Sequence, residues 1–376
     1  MTWTEKEPMG ASTHRVIQWA TGNTGQRALR EVIRDPNLDL AGVLVYDSAK
    51  DGVDAGELCG EPATGILATT NRENVLALNA DCCVYMPRAT GSGQTRAGLS
   101  EQELVDDLVA LLQAGTSIVT TCTDLFAKGA RLTEENRARV LKACAQGDAA
   151  VWASGSDPGF ITETLLLALL SVQRRVDLIE IEEFGDLSRR PSRHMVIDQM
   201  RFGKPLEHFD PDRRKNHLFG EYQPALTVLA DIAGLAIDEW TAEGGVAAAK
   251  EDLHIAAGEI QAGTAAAQRI IINGRSRGTD RIRFIRYGFV AMDVEPDWGL
   301  QPTGWRVRVH GDAPLDLSMP FPVPLEKLAS VVPAFNANGL VNAIPYVCAS
   351  PPGILTTEEL PHILARGPRR VDGSRS

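Results

Sequence analysis

Positive charge is in short supply in this chain: 38 Lys and Arg stand against 49 Asp and Glu, a net charge of −11. Binding a phosphate backbone or an anionic lipid surface needs clustered cations, so nucleic acid and membrane are not expected partners. Long apolar runs are missing as well. No stretch approaches the roughly 18 residues of a spanning helix, and residues 1–13 lack the apolar core of a secretory signal, so a cytoplasmic location is expected. Metal-ligand spacing is a third absence. The six cysteines, at 59, 82, 83, 122, 144 and 348, form no C-x-x-C pair, and none of the seven histidines lies three or four residues from another or from a cysteine. No metal site is expected, and the cysteines read as small buried hydrophobes in a reducing compartment.

What is present suffices for two domains. A chain of 376 residues exceeds what one compact core usually holds, and 44% hydrophobic with 23% charged residues is the balance of a globular chain rather than a disordered one. An apolar run at 16–19 precedes a helical pattern at 26–34, with Leu29, Val32 and Ile33 on one face and a stop at Asp35-Pro36. Strand-like runs recur at 40–46, 82–86, 117–121 and 149–153, separated by helical segments at 73–78, 100–112 and 133–145. Ser100 and Glu103 form a capping-box pair ahead of Leu104, Leu108, Leu111 and Leu112. This alternation predicts a Rossmann-type, doubly wound parallel sheet in an α/β domain.

Past Ser154 the texture changes. An apolar helix is expected over 160–172, followed by strands that give a second α+β domain of largely antiparallel sheet. Residues 281–285 and 305–310 alternate charged and apolar side chains, so each strand has one face to bury. Pairing with a second copy is a common solution, and a homodimer is expected. Ala262-Gly263 can turn a hairpin between the runs 253–260 and 267–272. The proline-rich stretch 314–324 is either a crossing between domains or an extended edge.

Between the first strand and first helix stands Trp19-Ala20-Thr21-Gly22-Asn23-Thr24-Gly25, where a dinucleotide fingerprint belongs. Gly22 lets the backbone approach a pyrophosphate, Gly25 lets the helix pack close to the strand, and the free N–H groups of the helix start face the negative charge. The first glycine of the pattern is replaced by Ala20. About twenty residues on, the second strand ends at Asp47, Ser48 and Lys50. Asp47 suits the adenosine ribose of NAD, Ser48 and Lys50 suit a 2′-phosphate of NADP, and the plainer reading of Asp47 is a turn starter. Met86, Pro87, Arg88 and Thr121, at the ends of the next two strands, are read as further cofactor-binding residues.

Several stretches resemble the family of dihydrodipicolinate-reductase-like dehydrogenases that includes 2,4-diaminopentanoate dehydrogenase and the NAD(P)-dependent amine dehydrogenases. They are WATGNTGQRAL at 19–29, DAGELCG at 54–60, SIVTTCTDL at 117–125, SGSDPGF at 154–160, EEFGDLS at 182–188 and VNAIPYVCASPPG at 341–353, the last being the most specific. The resemblance implies a dinucleotide-binding domain over 1–156, a substrate and dimerisation domain over 157–335 and a segment 336–366 returning to the first domain; the last residues, 367–376, read from the sequence as a disordered tail. It implies that Asn342, Ala343 and Ile344 lie near a nicotinamide. It also implies hydride transfer between that ring and an amine-bearing carbon of a small molecule, in reductive amination or oxidative deamination. Amine dehydrogenases carry an acidic residue, usually glutamate, after the strand equivalent to 117–121. Here Asp124 is the carboxylate in that place, as general base, and Phe126-Ala127-Lys128 replace the aromatic-proline residues that often follow. Thr123, Ser156, Asp157 and His194 are the substrate-side candidates. Asp157 is either a second acid or base or the cap of a helix starting at Pro158, and His194 either meets substrate or sits in a solvated basic loop. Two other functions stay open: reduction of a C=O or C=C bond, and nicotinamide binding without catalysis.

Overall fold

A computed structural model of the chain describes residues 13–87, 98–209 and 211–365. Two compact units divide the chain, Met1–Ser156 with Val332–Ser376, and Asp157–Val331.

In the first unit, β1 (His14–Trp19), β2 (Leu38–Leu44), β3 (Cys82–Tyr85), β4 (Ser117–Thr120) and β5 (Ala150–Ala153) are parallel to their neighbours. A parallel sheet covered on both faces needs continuous apolar strands, and Val16, Ile17, Cys82, Cys83, Val84, Ile118 and Val151 are at most 1% exposed. The principal helices between them are α1 (Asn23–Arg34), α2 (Glu101–Gln113) and α3 (Glu134–Gly147). α2 starts on the expected capping box: the Ser100 hydroxyl accepts from the Glu103 amide, and the Glu103 carboxylate accepts from the Ser100 amide. Leu104, Leu108, Leu111 and Leu112 are its buried side.

The second unit is α+β. The apolar helix is shorter than its sequence suggested, a widened turn at Phe160–Thr164 continuing as Leu165–Leu170. The strands are β6 (Val176–Asp186), β7 (Glu239–Ala249), β8 (Leu253–Ile255), β9 (Gly258–Ile260), β10 (Ala265–Ser276), β11 (Thr279–Phe289), β12 (Val294–Glu295), β13 (Gly304–Gly311) and β14 (Leu315–Pro320), with α4 (Pro211–Ile232) between β6 and β7. Seven of them form one sheet in the order β12-β7-β10-β11-β6-β13-β14, antiparallel except for β6 beside β11. The proline-rich stretch is thereby an edge, β14.

The hairpin expected at Ala262-Gly263 does not form. Residues 253–260 fold back on themselves as β8 and β9, because Gly258, at φ +137, takes a conformation that breaks a continuous strand there. Strand β10 pairs instead with β7 and β11.

One face of the sheet, including Ile179, Ile181, Ile282, Phe284, Val307 and Val309, packs on Leu218, Tyr222, Leu226 and Leu229 of α4. The alternation in β11 and β13 is therefore met within the chain by its own helix, and does not require a second copy. On the opposite face Phe184, Ile285 and Tyr287 join Val196, Ile197 and Phe202 in a second core. Beside them runs an ion ladder: Arg283 to Glu180 at 3.2 Å, Arg308 to Glu180 at 3.2 Å and Arg308 to Glu182 at 3.1 Å.

The chain then passes through α5 (Leu325–Cys348) to β15 (Gly353–Leu355), which pairs in parallel with β5. The completed parallel sheet has the order β15-β5-β4-β3-β1-β2. Ala337, Leu340, Val341, Ala343, Ile344 and Val347 of α5 sit in the core of the first unit with Val84 and Trp152. The expected tail at 367–376 lies outside the described residues.

Candidate functional site

The strand order of the first unit reverses at β1, since β2 lies on one side of it and β3 on the other. Crevices for ligands form outside the carboxyl ends of the strands at such a switch point. A cleft of about 540 Å³ opens there, lined by Thr21 and Gly22 after β1, by Asp47, Ser48 and Lys50 after β2, and by Met86 and Pro87 after β3. Arg88 lies outside the described residues. Sequence reasoning did not anticipate Tyr46, Leu99 and Glu103 in the lining; Glu103 was legible only as a helix cap.

The turn that floors the cleft is held by a buried amide. Gln18, 0% exposed, donates from Nε2 to the carbonyl of Ala20 at 2.8 Å. A Cβ on Gly25 would meet that same carbonyl oxygen at 2.2 Å, so only glycine lets α1 approach β1 here. A Cβ on Gly22 would meet nothing within 4 Å, which leaves its backbone open to the cleft. The helix start at Asn23 and Thr24 has no side-chain cap, so its amides are available to an anion. These features fit a dinucleotide pyrophosphate.

Ala20 has φ +72. A residue with a Cβ is strained in this region by about 1–2 kcal/mol, and glycine is the residue that relieves it. Ala20→Gly is therefore expected to stabilise the protein by up to about 1 kcal/mol, after the larger entropy loss of glycine is subtracted. A rise in the urea midpoint at constant slope would confirm the strain, and a fall would refute it.

At the end of β2, Asp47 accepts a hydrogen bond from the Ala49 amide at 3.0 Å, capping a short turn as the plainer reading has it, and it also lines the cleft. Lys50 donates from Nζ to the Thr21 carbonyl at 2.8 Å and to its hydroxyl at 3.2 Å.

Strand β4 ends beside β3, and Thr121, half-buried, is its next residue. Thr123 and Asp124 follow on a single turn, Thr123–Leu125. Arg131 places Nε 3.7 Å from the Asp124 carboxylate and donates from Nη1 to the Thr123 hydroxyl at 3.2 Å. Burial raises the Asp124 carboxyl above its ordinary range, and the Arg131 guanidinium pulls it partly back. The chain then turns sharply through Ala127, Lys128 and Gly129, all at positive φ, and Lys128 is held to Glu359 at 2.7 Å.

Ser156 donates its amide to Asn336 of α5 at 2.7 Å. On the same helix Asn342 is half-buried, whereas Ala343 and Ile344 are wholly buried in the core.

In the second unit, Asp157 is not a helix cap. Gly159 precedes the first helical residue, and its amide donates to the Thr162 hydroxyl at 2.8 Å. Asp157 instead meets the carboxyl of Glu183, and neither of its own oxygens, both sealed from solvent, accepts from an N–H or O–H of the described residues. Glu183 stands opposite Arg286 in the β6/β11 register, at 2.6 Å. Two touching carboxyls and one guanidinium favour a shared proton: burial first, then Glu183, push Asp157 well above the carboxylate range, with Arg286 opposing. Arg286→Ala is expected to destabilise this unit by about 2 kcal/mol. That is less than for a fully buried pair, because Arg286 keeps 34% of its side chain exposed. Asp157→Asn added to that variant should recover part of the loss in urea melts, and an unchanged midpoint for Arg286→Ala would remove the charge argument. His194, on the turn His194–Gln199, is exposed, 3.7 Å from Asp198 and 3.3 Å from Gln199.

Comparison with known proteins adds to this geometry. Residues 160–368 match the family model of the 2,4-diaminopentanoate dehydrogenase C-terminal domain. An amine dehydrogenase of Streptomyces virginiae is 27% identical over 352 residues, 92% of this chain and 95% of the relative. The solved structure of an amine dehydrogenase from Mycobacterium smegmatis superposes with a TM-score of 0.70 at 18% identity, covering 94% of this chain and 98% of that one.

Proposed function

The chain belongs to the family of the 2,4-diaminopentanoate dehydrogenase C-terminal domain, and from that premise we propose that it is a nicotinamide-dependent amine dehydrogenase. Carbonyl compound, ammonia, a hydride and a proton combine to amine and water, and the reverse reaction deaminates. The observation that carries the reading is the cleft at the β1/β3 switch point with a half-buried carboxylate, Asp124, after the neighbouring strand β4.

Bound at the turn 20–25, the nicotinamide dinucleotide supplies the hydride. Thr21 and the amides at the start of α1 hold its pyrophosphate. Asp47 accepts from the ribose hydroxyls, and Lys50 is already engaged by Thr21, so NAD is the preferred cofactor and NADP the weaker one. Asp124 takes a proton from ammonium, so that ammonia attacks the carbonyl carbon, and returns a proton as water leaves. Asn342, half-buried, bounds the nicotinamide side, and Thr123, Ser156 and His194 remain the substrate-side candidates; Ile344, wholly buried in the core, and Asp157, its oxygens sealed from solvent, are withdrawn.

Tryptophan quenching by NADH and NADPH, followed by turnover of a carbonyl panel with and without ammonium, tests this. Tight NADH binding with ammonium-dependent turnover is expected. Equal turnover without ammonium would make the protein a carbonyl reductase, and binding without any turnover would make it a nicotinamide-binding protein.

We place the homodimer on the sheet face that carries the ladder, where the partly exposed Arg283, Arg306 and Arg308 can meet carboxylates of a second copy. Sedimentation at micromolar concentration should give twice the chain mass. A monomer that persists on lowering the salt would refute the pairing.

A further inference from the structure

Only one of the six cysteines, Cys348, escapes full burial. It ends α5, where its thiol donates to the carbonyl of Asp81 at 3.5 Å. The residue after Asp81 is Cys82, the first of β3 and 0% exposed. The Cys82 side chain faces the α5 side of the sheet, in one core with Ile344 and Val347, and Cys348 packs against that core. The Cys348 thiol, hydrogen-bonded to the carbonyl next to Cys82, is near enough to add to burial in raising the Cys82 thiol. Cys83 points to the other face, as alternation along a strand requires.

We propose that Cys82 and Cys348 are a redox pair that a peroxide closes to a disulfide. Cys348, the member that solvent reaches, is oxidised first: its sulfur takes one peroxide oxygen, the O–O bond breaks, and the remainder leaves as water or an alcohol. The Cys82 sulfur then attacks the Cys348 sulfenic acid. An S–S bond forms, the S–O bond breaks, and the hydroxyl leaves as water with the Cys82 proton. Two thiols are oxidised and one peroxide is reduced, and a dithiol reverses the change. Burial pushes the Cys82 thiol up, so it is the slower partner and needs the proximity that the fold supplies.

Cys82 opens β3, whereas the cleft is built from Met86 and Pro87 beyond its other end. Closure therefore staples the carboxyl end of α5 to the sheet without entering the cleft, and it ties together distant parts of the chain, which restricts the unfolded state most. The full chain treated with hydrogen peroxide, then denatured and alkylated, should show four free thiols in place of six. Peptide mapping should find the 82–348 link, and the melting transition of the first unit should rise by about 5 °C and return with dithiothreitol. Cys348→Ser, a change at a half-exposed position, should keep its five thiols and its melting temperature under the same treatment. Six thiols after peroxide, a link other than 82–348, or Cys348 proceeding to sulfinic acid with Cys82 still free would overturn the proposal. NADH affinity should change less than twofold on oxidation, a readout that stands whatever the substrate is.

Discussion

Asparagine at position 124 should lower ammonium-dependent turnover by roughly 10²–10⁴-fold, the range for losing a general base, with NADH affinity left within about twofold. The side chain keeps its shape and loses its capacity to take a proton, and Asp124 is not among the residues lining the nucleotide cleft. The sign of the pH dependence follows from its surroundings. Burial raises the carboxyl and the base must be ionised, so kcat/KM should fall as pH drops through a value above the ordinary 3.8. Arg131 holds that value down, so Arg131→Gln should move the acid limb to higher pH. An acid limb that stays in place in Arg131→Gln, or an Asp124→Asn enzyme at wild-type rate, would assign the proton transfer elsewhere.

Alanine at Gly25 should destabilise the first unit by about 2–3 kcal/mol, near the upper end of overpacking costs, and weaken NADH binding tenfold or more. The added Cβ would lie 2.2 Å from the Ala20 carbonyl oxygen and 3.3 Å from Gln18 Nε2. Backbone cannot swing away as a flexible side chain can, so α1 must shift off β1 and carry its first amides with it. Gly22→Ala is the contrasting case. Its Cβ meets no protein atom within 4 Å and its φ of −70 is ordinary, so stability should hold while the methyl occupies space meant for the pyrophosphate. Chemical denaturation and NADH titration of both variants separate the two roles. Equal effects on folding would show that Gly22 is structural, and unchanged binding in both would move the nucleotide away from this turn.

The doubly wound sheet was legible because its signals are local: apolar strands, a Gly-rich turn between strand and helix, and the Ser100 capping box. Asp47 and Lys50 were legible as a pair at a strand end. The Asp157–Glu183–Arg286 cluster was not. Arg281 and Arg283 alternate with Ile282 and Phe284, which suggests one charged face, but Ile285-Arg286 reverses the order and puts an arginine on the helix-covered face. Only the β6/β11 register brings Glu183 beside it. Asp157 before a proline and a glycine reads locally as a cap, and a tertiary contact with β6 overrides that reading. The β8–β9 fold-back was hidden for a related reason, since Ala256-Ala257 carry none of the polar turn residues that mark a reversal.

The placement of β15 bears on the order in which this protein can be made. Strands β1 to β5 leave the ribosome early, but the edge of β5 is paired only by residues 353–355. Much of the core beneath is filled by α5, which is also synthesised late. Until about nine-tenths of the chain has emerged, the amino-terminal sheet has an open strand edge and an uncovered apolar face, the features that invite wrong partners. The second unit, Asp157–Val331, is encoded as one uninterrupted segment and can fold first. The earliest residues to be translated thus wait for nearly the last, and a truncation before β15 would damage the nucleotide-binding half of the molecule although it removes none of the residues of the phosphate turn.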